Sequence, residues 1–187
     1  MISAGDFRNG VSFERDGDIF QVIEFQHVKP GKGAAFVRTK YRNLKTGTIR
    51  EDSFNPSEKF KRVTLTRRDM QFLYADGDFY YFMDNETYEQ LPITGEVLGD
   101  SLNYLKEGTS CQVVSYSGEI INIELPIFVE LLITECEPAV KGDTATNATK
   151  TAIVETGAEI KVPLFVNQGD VIKVDTRSGA YEERVRN

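Results

Sequence analysis

Histidine, cysteine and tryptophan are almost missing from this chain of 187 residues: one His (His27), two Cys (Cys111 and Cys136) and no Trp. A single histidine excludes a His-rich metal centre, and cysteines 25 positions apart exclude a CxxC pair. A Ser-His-Asp triad would have to use His27, the single histidine of the chain. Both cysteines fall in apolar or β-rich segments and are read as reduced thiols that fill core space. No stretch approaches the ~20 apolar residues of a membrane span. The first residues, MISAGDFRNG, lack a basic region followed by an apolar run, so no secretory signal is expected. Fifteen Gly and six Pro are scattered, which leaves no low-complexity tail. The 40% hydrophobic and 27% charged content is that of a soluble globular protein. The expectation is a cytoplasmic protein that is not an enzyme and has no resident metal or cofactor.

The net charge of −7 argues against a nucleic-acid partner until its distribution is counted. Residues 1–64 hold 12 Lys+Arg and 8 Asp+Glu, for +4; residues 65–126 hold 3 and 11, for −8; residues 127–187 hold 7 and 10, for −3. Such segregation indicates modules with separate surfaces. Between Glu24 and Glu51 there is no acid, while Lys29, Lys32, Arg38, Lys40, Arg42, Lys45 and Arg50 all lie there. A local basic patch gathers phosphate whatever the total charge. The same charges would also keep an edge strand soluble, so composition leaves both readings open.

The patterning is mostly β. Short strands over Val11–Arg15 and Ile19–Phe25 flank the turn Asp16-Gly17-Asp18. Ala35–Asn43 alternates, with Phe36, Arg38, Lys40 and Arg42 on one parity and Val37, Thr39 and Tyr41 on the other. Residues 1–64 thus read as a small twisted sheet or barrel with a basic hairpin. A second unit, 65–126, opens with aromatic strands Met70–Tyr74 and Phe79–Met83 around Asp76-Gly77. Their acidic flanks favour core packing over base stacking. Val97, Leu98, Leu102 and Leu105 predict a helix over Gly95–Lys106 capped by Gly108. Hairpin strands Ser110–Tyr116 and Glu119–Leu125 follow. A third unit, 127–187, has strands Val129–Cys136, Thr151–Glu155, Glu159–Pro163, Asp170–Asp175 and Tyr181–Val185, with a polar loop Lys141–Thr149. The spacing in units two and three fits five-stranded barrels of the OB type.

Pro30-Gly31-Lys32-Gly33 is the sharpest local feature. Proline presets φ, glycine permits positive φ and a bare backbone, and Ala34 and Ala35 keep the tip thin. Lys32 is therefore presented at a hairpin apex, as a phosphate contact or as the target of a modifying enzyme. The segment is not a GxxxxGKS/T phosphate loop and no helix follows, so nucleotide hydrolysis is not expected.

At these residues the chain resembles bacterial translation elongation factor P over essentially its full length. Residues 27–38, HVKPGKGAAFVR, are similar to that family's tip loop, and Gly142-Asp143-Thr144 is similar to a loop motif of its third domain. Lys150, Ala152, Gly157, Ile160, Val162, Pro163, Val166 and Gly169 fill its C-terminal signature. The resemblance implies an all-β chain of three small β-barrel domains. An SH3-like (KOW-like) barrel is followed by two OB folds in an L-shaped, tRNA-like outline. It implies a monomer that binds the 70S ribosome between the peptidyl and exit sites and relieves stalling at consecutive prolines. The partners implied are the ribosomal RNA and the peptidyl-tRNA. Lys32 would be the tip residue, shaped by Pro30, Gly31, Gly33 and Ala34, with Lys29 and Arg38 beside it. It would be covalently modified, with an aminopentanol or a lysyl group, by a dedicated modifying enzyme. Gly142, Asp143 and Thr144 would lie near the exit-site mRNA codon, and Tyr181 and Arg184 would face the small subunit. The loop after Thr144 reads Ala145-Thr146-Asn147-Ala148-Thr149 where the family often has glycines. A paralogue acting on a different stalled ribosome, or a protein-interaction module with acidic barrels, would fit the composition as well.

Overall fold

A computed structural model describes residues 1–139 and 148–186 of the chain. By contacts the chain falls into two compact units, Met1–Arg67 with Val114–Asn122, and Arg68–Val113 with Ile123–Asn187. No helix among the described residues is long and apolar enough to cross a membrane.

The first unit is built on six antiparallel strands: β1 (Ile2–Ser3), β2 (Ser12–Arg15), β3 (Asp18–Val28), β4 (Phe36–Asn43), β5 (Ile49–Phe54) and β6 (Lys59–Arg62), in the order β1-β6-β2-β3-β4-β5. Asp16 and Gly17 take φ of 53° and 84°, the pair of positive values that a tight hairpin turn with right-handed strand twist needs. The predicted parity of β4 holds: Val37, Thr39 and Tyr41 are buried, while Arg38 and Arg42 are exposed. The core is aromatic. Phe7, Phe13, Phe20, Tyr41, Phe54 and Phe60 pack with centroids 5.1 Å apart for Phe7–Phe13, 5.0 Å for Phe20–Tyr41 and 5.0 Å for Phe54–Phe60. Rings of this size each remove ~150–250 Å² from water, which lets so small a barrel hold together. Strands β1 and β6 escape the sequence pattern because β1 is two residues long and β6 has one apolar residue, Phe60.

Residues 114–122 complete this unit. Ile121 is buried with Ile19, Leu44 and Val63. Asn122 Nδ2 donates to Leu44 O at 2.9 Å, and Lys45 Nζ lies 3.1 Å from Glu119 Oε1. The hydrogen bond and charge of Glu14, joined by Tyr116, hold the Lys61 ammonium above its ordinary range.

The middle sheet comprises β7 (Thr66–Asp76), β8 (Phe79–Asp84), β9 (Gln90–Thr94), β10 (Ser110–Tyr116) and β11 (Glu119–Glu124), in the order β11-β10-β7-β8-β9. Its aromatics divide between two faces: Phe72 and Phe82 are buried, whereas Tyr74 stacks on Tyr81 at 4.8 Å and is exposed. The sequence pattern misses β9 because it contains Pro92, which an edge strand tolerates. The helix predicted over Gly95–Lys106 is corrected. Only α1 (Gly95–Leu98) is α-helical; a 3-10 segment, Gly99–Asn103, follows. Gly99 turns to φ 51° and ψ −129°, outside the helical region. Asp100, Ser101 and Asn103 are poor helix interior residues. The helical spacing of leucines survives only as burial of Leu98 and Leu105. Gly108 has no helix to cap; its amide donates to Phe72 O at 2.8 Å.

The third sheet is β14-β13-β12-β15-β16, from β12 (Phe128–Cys136), β13 (Thr149–Val154), β14 (Glu159–Pro163), β15 (Val171–Asp175) and β16 (Tyr181–Arg184). Alternating burial places Val129, Leu131, Ile133, Ala152, Val154, Ile160, Val162, Ile172 and Val174 in one core. Within the second unit Tyr104 packs against that core, and Thr156 Oγ1 donates to Asn103 O at 2.5 Å.

Both thiols are free. Cys111 is buried, and burial pushes its thiol up to about 12. A thiol whose pKa is raised in the folded state favours folding below its unfolded value, and that contribution is lost as pH rises toward 12. A thiol reagent at pH 8 is expected to leave Cys111 unmodified until denaturant is added, as followed by mass. Ile121→Ala is expected to destabilise the first unit by ~2–4 kcal/mol. The check is earlier urea unfolding together with faster hydrogen exchange at the Leu44 amide, which bonds Ile19 O.

Candidate functional site

The site begins where β3 and β4 run beyond the barrel. Their register pairs Gln26 with Arg38, His27 with Val37 and Val28 with Phe36, and residues 29–35 close the hairpin without regular structure. Gly33 takes φ 109°, a conformation that a side chain resists, and a Cβ there would lie 3.8 Å from the Pro30 ring. Gly31 has no positive φ and open space around it, so only the second of the two glycines is used for its backbone freedom. Lys29, Gly31, Lys32, Gly33 and Ala34 are exposed, and Pro30 is half-buried. The Lys32 side chain makes no hydrogen bond or ion pair among the described residues. The tip is a cation on a bare backbone.

Below the tip the acid-free window of sequence is not acid-free in space. Lys40 Nζ lies 3.7 Å from Glu24 Oε2, and Arg38 Nε lies 3.8 Å from Glu51 Oε1. These pairs are exposed, so each is worth ~0–1 kcal/mol, but they offset the charge of the shaft. Lys45 is engaged by Glu119, and Arg50 lies over the Phe20 ring at 5.7 Å. Lys29 and Lys32 are left to carry the positive charge of the distal end.

The shaft is fastened at its base. The Tyr41 hydroxyl donates to the Asp52 carboxylate, and Arg15 Nη1 donates to Tyr41 Oη at 2.5 Å and to Asp52 Oδ2 at 3.3 Å. Burial, and then the carboxylate of Asp52, hold the Tyr41 phenol above its ordinary range. Arg15 also covers the Phe54 ring at 5.2 Å. Strands β2, β4 and β5 are thereby tied at one point beneath the hairpin.

Of the third-unit residues singled out from sequence, Gly142, Asp143 and Thr144 lie outside the described residues. Tyr181 and Arg184 come together in an open cleft of about 590 Å³, which Phe165, Lys173 and Glu183 also line. Tyr181 packs partly against the third core. The Arg184 guanidinium lies 5.3 Å from the Phe165 centroid, and its Nη1 lies 3.8 Å from Asp170 Oδ2. Phe165 is 58% exposed and escaped the sequence reading, because in the run Val162-Pro163-Leu164-Phe165-Val166 it looks like one more core residue. The tip residues and this cleft belong to different units.

Three family models match the chain: Elongation factor P (EF-P) KOW-like domain over residues 3–60, Elongation factor P (EF-P) OB domain over 65–123, and Elongation factor P, C-terminal, over 129–184. Elongation factor P of Acetivibrio thermocellus is 63% identical over 185 residues, which is 99% of this chain and 100% of that one. Elongation factor P of Alkaliphilus metalliredigens is 62% identical with the same coverage. Among solved structures, a translation initiation factor eif-5a family protein from Naegleria fowleri matches with a TM-score of 0.52 at 18% identity. That match covers 66% of this chain and 96% of that protein, and it bears on fold alone.

The hairpin that carries Tyr181 and Arg184 generates a pH prediction. The Asp175 carboxylate accepts from Arg177 Nη2 at 2.8 Å and from the Arg177 amide at 2.8 Å, which lowers its pKa from 3.8 to about 2. A lowered carboxylate favours the folded hairpin above its unfolded value, and that contribution is lost as pH falls toward 2. Asp175→Asn is expected to flatten the acid limb of the third sheet's stability between about pH 4 and 2, read by hydrogen exchange across β15 and β16.

Proposed function

We propose a mode of action from one premise: this chain belongs to the elongation factor P family and is a translation elongation factor rather than an enzyme. The factor binds the ribosome between the peptidyl and exit sites as a cytoplasmic monomer. There its first barrel reaches the acceptor end of the peptidyl-tRNA through Lys32. It relieves stalling when consecutive prolines are joined. The observation that carries this reading is the tip itself, a lysine on an exposed loop with no partner among the described residues.

The chemistry asked of the protein is orientation. Proline is a poor nucleophile that constrains the nascent chain, so the reacting groups spend much of their time misaligned. Holding the acceptor end lowers the activation free energy through prepaid orientational entropy, and each ~1.4 kcal/mol is tenfold in rate. Lys32 supplies a charge and hydrogen-bond donors to the RNA backbone, and no proton transfer by the protein is needed. A modifying enzyme that adds an aminopentanol or a lysyl group to Nζ would lengthen this arm. Lys29 and Arg38 support the same contact. Tyr181 and Arg184, with Gly142, Asp143 and Thr144, serve the small-subunit and mRNA side. The paired acids along the shaft confine phosphate attraction to the tip, and the acidic remainder of the chain discourages binding elsewhere.

Lys32→Ala is expected to leave the melting temperature unchanged and to remove stimulation of polyproline synthesis in a reconstituted translation assay. Full stimulation by that variant would sink the tip mechanism. Intact and peptide mass of the protein from its native cytoplasm should show an increment on the Lys32 peptide. Gly33→Ala strains the loop by ~1–3 kcal/mol, whereas Gly31→Ala meets open space. The first is therefore expected to lose stimulation and the second to keep most of it.

A further inference from the structure

The half of β3 nearest the loop carries a group that the contact through Lys32 does not use. Pairing of β3 with β2 ends at Gln21, followed by bonds from the Val22 amide to Val11 O at 2.9 Å and from the Gly10 amide to Val22 O at 2.8 Å. Beyond that point β4 is the one strand that pairs with β3. A two-stranded ribbon alone is marginal in water. Here Arg8 braces it. The Arg8 guanidinium sits 5.3 Å from the Phe25 centroid, and its Nη1 donates to Phe7 O at 2.6 Å. Phe25 is half-buried against the barrel core and meets His27 at 5.8 Å with the rings at 85°. His27, the single histidine of the chain, is exposed at the end of this series, five residues before Lys32.

We propose that His27 is a stacking platform for an unpaired RNA base beside the backbone that Lys32 holds, with Phe25 and Arg8 as its positioning residues. The inference rests on the reading of the tip given above. A ring already oriented by a packed neighbour loses little freedom when a base lands on it. Arg8 adds positive charge over the neighbouring Phe25 ring, and the exposed Lys29 follows two residues on. Two acids of the shaft, Glu24 and Glu51, are occupied by Lys40 and Arg38. A lysine on a phosphate fixes position but leaves the base free to rotate, whereas stacking fixes the base and accepts any base identity. The acceptor end of tRNA is single-stranded, so its bases are available for such a contact.

The test compares His27→Ala, His27→Phe and Lys32→Ala, each checked for an unchanged melting temperature and, in the His27 variants, for unaltered mass of the Lys32 peptide. The readouts are polyproline synthesis at saturating factor and the fluorescence of 2-aminopurine placed at the 3′ nucleotide of ribosome-bound peptidyl-tRNA, which stacking quenches. His27→Ala is expected to lower stimulation by about tenfold, the size of one lost base stack, and to raise the 2-aminopurine fluorescence. His27→Phe is expected to restore both. Wild-type behaviour of His27→Ala, or a His27→Phe as inactive as His27→Ala, overturns the proposal. If Lys32→Ala is inactive in that case, the tip reading stands and only the platform fails. If Lys32→Ala is fully active, the tip reading fails and the platform with it.

Discussion

The functional end of this chain depends on the register between β3 and β4. That pairing runs from Phe20 opposite Asn43 to Val28 opposite Phe36, with one bulge between Val22 and Glu24. Strand side chains alternate with a period of two, so a slip of one residue would turn Val37, Thr39 and Tyr41 to solvent and Arg38 and Lys40 into the core. Tyr41 makes such a slip costly. Its ring packs on Phe13 and Phe20, and its hydroxyl is bonded to Asp52 and Arg15. One residue thus joins the aromatic core, the edge strand β5 and the shaft of the hairpin, and the loop that presents Lys32 inherits its direction from that joint.

The same register distributes charge. Seven cations without an intervening acid look in sequence like a broad basic patch. Pairing sets Glu24 beside Lys40 and Glu51 beside Arg38, and hairpin end 114–122 brings Glu119 to Lys45. Lys29 and Lys32 are left as the cations of the distal loop, away from these paired acids. A chain of net charge −7 thereby keeps one exposed cationic tip. The pairs add little to stability; their consequence is where the field is.

Much of the architecture was legible because it is written in short-range patterns. The alternation in β4, the glycine turns at Gly17 and Gly77, and the spaced apolar strands of the third sheet each depend on residues within a few positions of one another. The failures have equally specific causes. Leucine spacing over 95–106 mimics a helix, but Gly99 at φ 51° interrupts it, and the buried leucines, Leu98 and Leu105, come from the short α1 and a loop. Strands β1, β6 and β9 are too short or carry Pro92, and they exist because neighbours accept them. Phe165 reads as core because nothing local distinguishes it from Val162 or Val166, yet its ring is exposed beneath Arg184.

The sequence by itself determined the all-β class and the presentation of Lys32 on a thin glycine-containing loop. Its three motif blocks also pointed to the family. Only the tertiary structure decided which cations meet an acid, that Gly33 rather than Gly31 needs its conformational freedom, that Arg8 covers the Phe25 ring beside His27, and that residues 114–122 complete the first barrel. Local conformation follows from side chains near in sequence. Ion pairs, ring stacks and the filling of a barrel depend on groups that meet only after strands far apart in sequence have taken their register.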